Sequence, residues 1–444
     1  MTDRSSEGRS LRVIQLEGDP TVQAASDEKS TLSERLVGGV VINGGRTLPA
    51  GDGKLSAYDY LPWDDPDFER DPYPWYARAQ TEVPVLHDDT GSFVVSRYDD
   101  IMEFGKHPAM SVEPGWDLAG PWSVARETVI GRDVPDHTRL RRQTNKWFTP
   151  KMVREWVATT VAVTNEIIDQ MRGDILDGWH DLSLLATHRT MCRVLQFPDH
   201  DAEGVMAEMA STMPMLSARP RPGTLQMAEV GFARLTERVV PLIEAKRKTP
   251  GDGLADALVA AQMRGDMSED EMRATILMLY SLGHMDVGYI IAAGLSILAQ
   301  LPDVYDAYRN RPEVRDAIVN EIVRYDPPEL SFYRVTTEDL TIRGTDIPAG
   351  STIRYLLAAA NRDPEVFTDA QRFDYLRPAE QGRNLSFGMG VHSCVGQVIS
   401  RAEAEAVFEV VAARCRRIEL AEPVEMDNTD FSRHFTKLKL RLVR

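Results

Sequence analysis

The chain has 444 residues, with 51 Lys and Arg against 68 Asp and Glu, a formal net charge of −17, 43% hydrophobic residues and three Cys. That length and apolar content support a core without a disulfide framework, and an odd cysteine count in a long chain points to a reducing compartment. A field this negative excludes non-specific binding to nucleic acid or anionic lipid, both of which need net positive charge.

Residues 1–55 are rich in Ser, Gly, Asp and Glu and hold no apolar run of the kind a secretory signal or membrane anchor needs. They are read as a flexible extension ahead of one folded unit at residues 56–444, in a cytoplasmic protein. The texture changes at Tyr58, with Trp63, Tyr73, Trp75 and Tyr76 set among Pro and Asp. VPVLH and SFVVSR on either side of DDTG then predict a hairpin. Residues 136–142 predict a basic helix with His137 and Arg141 one turn apart on one face. Met209, Met213 and Met215 suit either an adaptable apolar wall or plain core. The run Ser217-Ala-Arg-Pro-Arg-Pro222 reads as a solvated loop, or one that meets an anion at a pocket mouth.

Residues 274–301 form a long apolar stretch interrupted only by His284 and Asp286. Its length would span a bilayer. However, Ser268 supplies an N-cap, Pro302 closes the far end, and the sequence offers no second span to pack against it. A helix apolar on every side in a soluble protein is buried, which places His284 and Asp286 in the middle of the molecule. Ionisable groups there are costly unless partnered, so they are read either as functional or as a hydrogen-bonded buried pair.

Further on, Phe387-Gly-Met-Gly-Val-His-Ser-Cys394-Val-Gly396 leads into a segment in which Val395, Ile399, Ala402, Ala406 and Val410 repeat at helical spacing. Cys394 therefore stands at a helix start, where exposed N–H groups bias a thiol toward thiolate. Gly388, Gly390 and Gly396 let the backbone turn tightly and approach a flat ligand. A zinc reading of His392 and Cys394 has too few ligands.

The ten-residue pattern F-G-x-G-x-H-x-C-x-G resembles the haem-binding loop of the cytochrome P450 family at all six fixed positions. The resemblance extends over residues 58–444. It implies a mainly α fold with small β-sheets, a triangular helical haem domain with a long central helix. The cofactor it implies is haem b, with Cys394 as the axial thiolate on iron, His392, His137, Arg141 and Arg334 toward the propionates, and Phe387 and Gly388 in the loop. Glu321 and Arg324, three residues apart before Tyr325-Asp-Pro-Pro328, resemble the family's Glu-x-x-Arg motif, and the resemblance assigns Arg372 to complete that buried ionic network. By the same likeness, residues 110–130 with Trp116 and Trp122, the methionine stretch, and turns near Leu330 and Phe435 would line the substrate pocket.

One segment departs from the family. The family places an acid and then an alcohol after Ala-Gly in the central helix, to move protons during dioxygen activation. Here Leu282-Gly283-His284-Met285-Asp286-Val287 puts Met285 at the acid position and Asp286 at the alcohol position. Asp286, with His284 and Gly283 beside it, either holds a proton, its pKa raised by burial, or anchors a substrate amine or hydroxyl. The resemblance thus implies a monomeric monooxygenase of secondary metabolism. It would act on a small, medium-sized organic substrate with electrons from a ferredoxin and ferredoxin reductase, which would meet a basic patch of Arg139, Arg142, Lys146, Lys151 and Arg154. Alternatives are a peroxygenase, a non-hydroxylating oxidase or isomerase, and a haem protein that binds a ligand without turnover.

Overall fold

The computed structural model describes residues 55–117, 120–198 and 201–444. The extension expected at residues 1–55 lies, except for Leu55, outside the described residues, as does the side chain of Trp116. The chain enters through a turn of helix, Ala57–Tyr60, closed by a reciprocal capping box between Ser56 and Asp59. Trp63, Phe68 and Tyr76 are buried there beside helix α1 (Tyr73–Glu82), and the Trp63 indole N–H donates to Asp88 at 2.9 Å.

The expected hairpin is present. Strands β1 (Val85–His87) and β2 (Phe93–Val95) pair antiparallel across a turn in which Gly91 takes φ +85° and the Asp88 carboxylate accepts the Thr90 and Ser92 N–H groups. Helix α2 (Tyr98–Phe104) and strand β3 (Met110–Ser111) follow. The middle of the chain is helical: α3 (Asp136–Thr144), α4 (Pro150–Gln170), a short strand β4 (Ile175–Asp177), α5 (Ala186–Leu195), α6 (Ala202–Ala210), α7 (Thr224–Lys248) and α8 (Leu254–Met263).

The apolar stretch forms two helices rather than one, α9 (Glu269–Leu282) and α10 (Met285–Gln300). Ser268 caps α9 as expected, accepting from the Glu271 N–H. The break falls at Gly283 and His284 for two physical reasons. Glycine is a poor helix former, and the Thr187 hydroxyl of α5 donates to the His284 carbonyl at 3.2 Å, competing with the helix's own donors. Across residues 269–300 lies the one stretch among the described residues long and apolar enough to cross a membrane, and most of it is buried inside the protein. Pro302 opens α11 (Pro302–Asn310), and α12 (Arg315–Tyr325) follows.

The remaining strands are β5 (Phe332–Thr336), β6 (Leu340–Ile342), β7 (Thr345–Ile347) and β8 (Thr352–Tyr355). After them come helix α13 (Gln397–Arg414) and β9 (Arg417–Leu420), β10 (Glu425–Met426), β11 (Phe435–Lys437) and β12 (Lys439–Val443). The largest sheet has the order β1-β2-β8-β5-β3, with β2 and β8 parallel, and β12 is the centre of a second sheet between β4 and β9. α10 is the hub of the main core. Ile291, Ala292, Ala293, Leu295 and Ile297 have no accessible surface, and a Cβ added at Gly294 would overlap the Phe408 ring of α13. That closeness brings the two helices together and fixes where the loop before α13 lies relative to the break before α10.

Candidate functional site

The cysteine loop is closed by the Cys394 N–H donating to the Phe387 carbonyl at 2.9 Å. Gly388 and Gly390 both take φ +68°, a conformation that strains any residue with a Cβ. Gly396, expected to serve the same turn, has an ordinary φ of −80° and acts as the N-cap of α13. Cys394 keeps an exposed face, although it is enclosed closely enough that burial pushes its thiol up to about 11. The exposed face therefore opens on an internal void. The Gly396 N–H and the Arg141 guanidinium favour the thiolate, as the helix-start reading expects. Burial outweighs them, and the Asp286 and Glu329 carboxylates add to its effect. A cationic ligand at the sulfur would favour its ionised form.

The residues expected to meet an anionic flat cofactor converge on this loop. Arg141 donates from Nη2 to the Ser393 carbonyl at 3.1 Å. His137, on the same face of α3, packs edge-on against His392 with ring centroids 4.7 Å apart, and its buried Nε2 has no hydrogen-bond partner. Burial, with the neighbouring His392 and Arg141, holds the His137 imidazole down to about 4. His392 Nε2 lies 3.4 Å from Asp133, whose carboxylate also accepts from Ser111 at 2.6 Å. Arg334 of β5 is nine-tenths buried, donates among the described residues only to its neighbour's carbonyl at 2.7 Å, stacks over Phe332, and is lowered to about 10 by burial. An orphaned imidazole nitrogen, a buried guanidinium without a carboxylate, two positive-φ glycines and a thiol facing a void fit a flat, dianionic, metal-bearing cofactor such as haem.

The break between α9 and α10 carries Asp286, whose charge acts on the thiol. Gly283 is exposed and Asp286 half-buried, although both sit in the middle of the chain's most apolar segment. Burial raises the Asp286 carboxyl to about 6. His284 has no accessible surface and packs against His188 of α5, 4.8 Å between ring centroids, with both nitrogens unpartnered. Of the three residues expected here, His284 is thus the one without a face on the void. Met285, at the position of the family's acid, lines a separate cavity of about 340 Å³ with Trp179, Leu184, Met206, Met213 and Phe435. Met209, by contrast, is plain core. Trp122 is buried, its indole N–H donating to the Thr212 carbonyl at 2.9 Å.

Behind the loop, Glu321 and Arg324 form a bidentate pair at 2.7 and 2.8 Å without solvent contact. Sequence reasoning assigned the third member to Arg372, and this is corrected. Arg377 supplies the guanidinium, with Nε 3.2 Å from Glu321. Arg372 offers its backbone carbonyl to both Arg324 and Arg377, while its own buried Nε has no partner. The backbone of this irregular segment turns at Asp369, φ +45°, and the fork that reaches back to Glu321 arises only five residues after Arg372. The loop at residues 217–222 is not simply solvated. Arg219 reaches Asp89 at 2.6 Å, Arg221 reaches Glu69, and Asp430 accepts from the Ser217 hydroxyl and the Ala218 N–H. Glu329 was also missed, and its only signal was an acid inside the apolar run that follows Pro327-Pro328.

A sequence profile described as Cytochrome P450 matches residues 308–440. The chain is 28% identical to cytochrome P450 CYP107DY1 of Priestia megaterium, over 78% of this chain and 85% of that protein. It is also 28% identical to 20-oxo-5-O-mycaminosyltylactone 23-monooxygenase of Streptomyces fradiae, over 76% of this chain and 81% of that enzyme. A solved structure of CYP164A2 from Mycobacterium smegmatis superposes with a TM-score of 0.79 at 27% identity, covering 87% of this chain and all of the other.

Proposed function

The chain belongs to the cytochrome P450 family and is a monooxygenase of that family, and from this premise we propose that it oxidises a medium-sized secondary metabolite at a void bounded by Cys394 on one side and Asp286 on the other. The observation that carries the reading is the cysteine loop, whose thiol keeps an exposed face and beside which His137, packed on His392, leaves its buried Nε2 without a partner. The Asp286 carboxylate adds to the rise of the Cys394 thiol, which supports reading the two as parts of one site.

When bound, haem supplies dioxygen activation, with thiolate ligation strengthening O–O cleavage. The chain's own contributions follow from its geometry. Cys394 would supply the sulfur that holds the haem iron, from a loop in which two positive-φ glycines let the backbone turn tightly. The unpartnered Nε2 of His137 and the Arg334 guanidinium offer donors to carboxylates. Asp286, its carboxyl raised to about 6, is protonated in a fraction of molecules near neutrality and can hold a proton where the family's acid and alcohol are absent. Val287 is buried and carries no hydroxyl.

Electrons are assigned to a ferredoxin docking on the side of α3. Arg142, Lys146, Lys151 and Arg154 are exposed there, whereas Arg139 is engaged with Asp136 and Glu271 and bridges α3 to α9. Two measurements test the reading. Reduced protein under carbon monoxide is expected to show the red-shifted Soret band of thiolate ligation, and its absence refutes the cofactor assignment. Asp286→Asn is expected to lower product formed per electron consumed, and unchanged coupling removes Asp286 from proton handling.

A further inference from the structure

The cavity of about 340 Å³ beside α10 stands apart from the cysteine site. Of the described residues that border it, none belongs to the cysteine loop, and Met285 is the one from α10. Its apolar wall consists of Trp179 and Leu184 of the helical segment Gly178–Leu185, Met206 of α6, Met213, Met285, and Phe435 of β11. The rings of Trp179 and Phe435 have centroids 5.9 Å apart, and Phe435 lies 5.3 Å from the ring of Tyr289 in α10. Thioethers alternating with packed rings form a wall that adapts to a flat apolar body.

Two polar groups in that wall have no hydrogen-bond partner among the described residues. The first is the imidazole of His434. Its backbone is fixed, with the N–H donating to Asn428 at 3.3 Å and the carbonyl accepting from the Asp427 N–H at 2.9 Å. Burial holds the imidazole down to about 4, so at neutral pH it is uncharged and offers one N–H and one lone pair. The second is the indole N–H of Trp179, a residue 8% exposed. The charged side chains that border the cavity already face opposite charges: Arg221 pairs with Glu69 and Asp427, Arg219 with Asp89, and His180 with Asp181 and Glu203. Ser217 donates to Asp430, Thr429 bonds Ser432, and Thr436 stands in solvent.

We propose that this cavity is a second small-molecule site, separate from the void at the cysteine loop, and that its ligand is an uncharged aromatic compound bearing a hydroxyl. A buried donor or acceptor without a partner is costly, and a ligand that meets it recovers that cost on binding. A hydroxyl both accepts from an N–H and donates to an imidazole lone pair, so it suits the Trp179 donor and either tautomer of His434. A hydrocarbon of the same shape leaves both groups unmet. A charged ligand finds no free counter-charge, because the ions at the rim are engaged with one another. The volume is near the lower bound of small-molecule sites, about 300 Å³, which favours a compact body such as two fused rings.

The test uses 2-naphthol, its hydrocarbon parent naphthalene, and 2-naphthoate as the charged analogue. Affinities for the haem-loaded protein are measured by calorimetric titration at neutral pH, with the Soret band followed in parallel. Wild type is expected to bind 2-naphthol roughly two- to tenfold more tightly than naphthalene, the range of one neutral hydrogen bond, and more tightly than 2-naphthoate. His434→Leu is expected to lose most of that preference, Trp179→Phe to lose part of it, and His434→Gln, which keeps a donor and an acceptor, to retain more than His434→Leu. A wild type that holds naphthalene or 2-naphthoate as tightly as 2-naphthol overturns the ligand class without any variant. An unchanged preference in His434→Leu overturns the site, and should that variant not fold, an unchanged preference in Trp179→Phe does so. A Soret shift that follows 2-naphthol occupancy places the ligand at the iron instead and likewise overturns the separate site.

Discussion

Replacing Arg377 with Ala removes the guanidinium that closes the buried network behind the cysteine loop. Its side chain is 5% exposed, and it donates to Glu321 at 3.2 Å, to the Asp369 and Arg372 carbonyls at 3.1 and 2.8 Å, and to the Thr368 carbonyl. Glu321 would keep Arg324 and the Asp374 N–H, but a carbonyl cluster would lose donors inside the protein. Breaking a buried pair from one side costs about 3–5 kcal/mol. At roughly 2.1 cal/mol/K of unfolding entropy per residue, that cost lowers the melting temperature of a chain this long by about 3–5 °C. Arg372→Ala deletes a side chain whose buried nitrogen has no partner and leaves its carbonyl in place, so its effect is expected within about 0.5 kcal/mol. Arg377→Lys restores charge but not the fork, and should recover only part of the loss. Thermal unfolding of the three variants, followed by far-ultraviolet circular dichroism, compares them directly. Equal destabilisation by Arg372→Ala and Arg377→Ala would falsify the corrected network.

Gly294→Ala should destabilise by about 1–3 kcal/mol, despite a helix-propensity gain of about 1 kcal/mol, because the new methyl overlaps the Phe408 ring. A urea midpoint that rises would refute that packing, and Phe408→Leu should partly relieve the clash. Burial holds the His434 imidazole down to about 4 against an ordinary 6.5, so the fold keeps it neutral while the unfolded chain takes up the proton. Its contribution is complete above the unfolded value and is lost as pH falls toward the folded one, at about 1.4 kcal/mol per unit. His434→Gln is expected to flatten the acid limb of a stability-against-pH curve by that slope, and an unchanged limb speaks against a neutral buried imidazole. Charge reversal at Arg142 and Lys146 should slow reduction by ferredoxin at low salt and converge with wild type at high salt, read by stopped-flow reduction. A salt-independent defect would point away from steering.

The parts of the site that were legible in the sequence are those that repeat or sit at fixed spacing. The cysteine loop, the one-turn pair His137 and Arg141, the i,i+3 pair Glu321 and Arg324, and the Ser268 cap all depend on local geometry, which a linear pattern carries. What escaped depends on where irregular backbone goes. Arg377 follows Arg372 by five residues of turns with no period, and nothing local says which guanidinium swings inward. Glu329 is held in place because the segment after α12 pairs with the turn at residues 429–432, a tertiary fact with no signature beyond one acid in an apolar run. The break before α10 was masked because Gly283 alone is tolerated in a helix, and the competing hydroxyl of Thr187 comes from α5. The helix-start effect on Cys394 was rightly signed but outweighed, since burial depends on the whole enclosure.

The ties that hold residues 217–222 also bear on how the protein is made. Ser217 and Ala218 are fastened by Asp430, which also binds Arg354 at 2.7 Å. A ribosome synthesises the anchor more than two hundred residues after the segment it holds. The sulfur-bearing loop at residues 387–396 emerges before that anchor, and α13 can dock on α10 while residues 217–222 still lack their C-terminal fastening. Closure of the longest loops comes late because the entropy of joining them is met only once the intervening structure exists. Residues 217–222 therefore stay unlatched until the C-terminal segment that carries Asp430 has joined the fold.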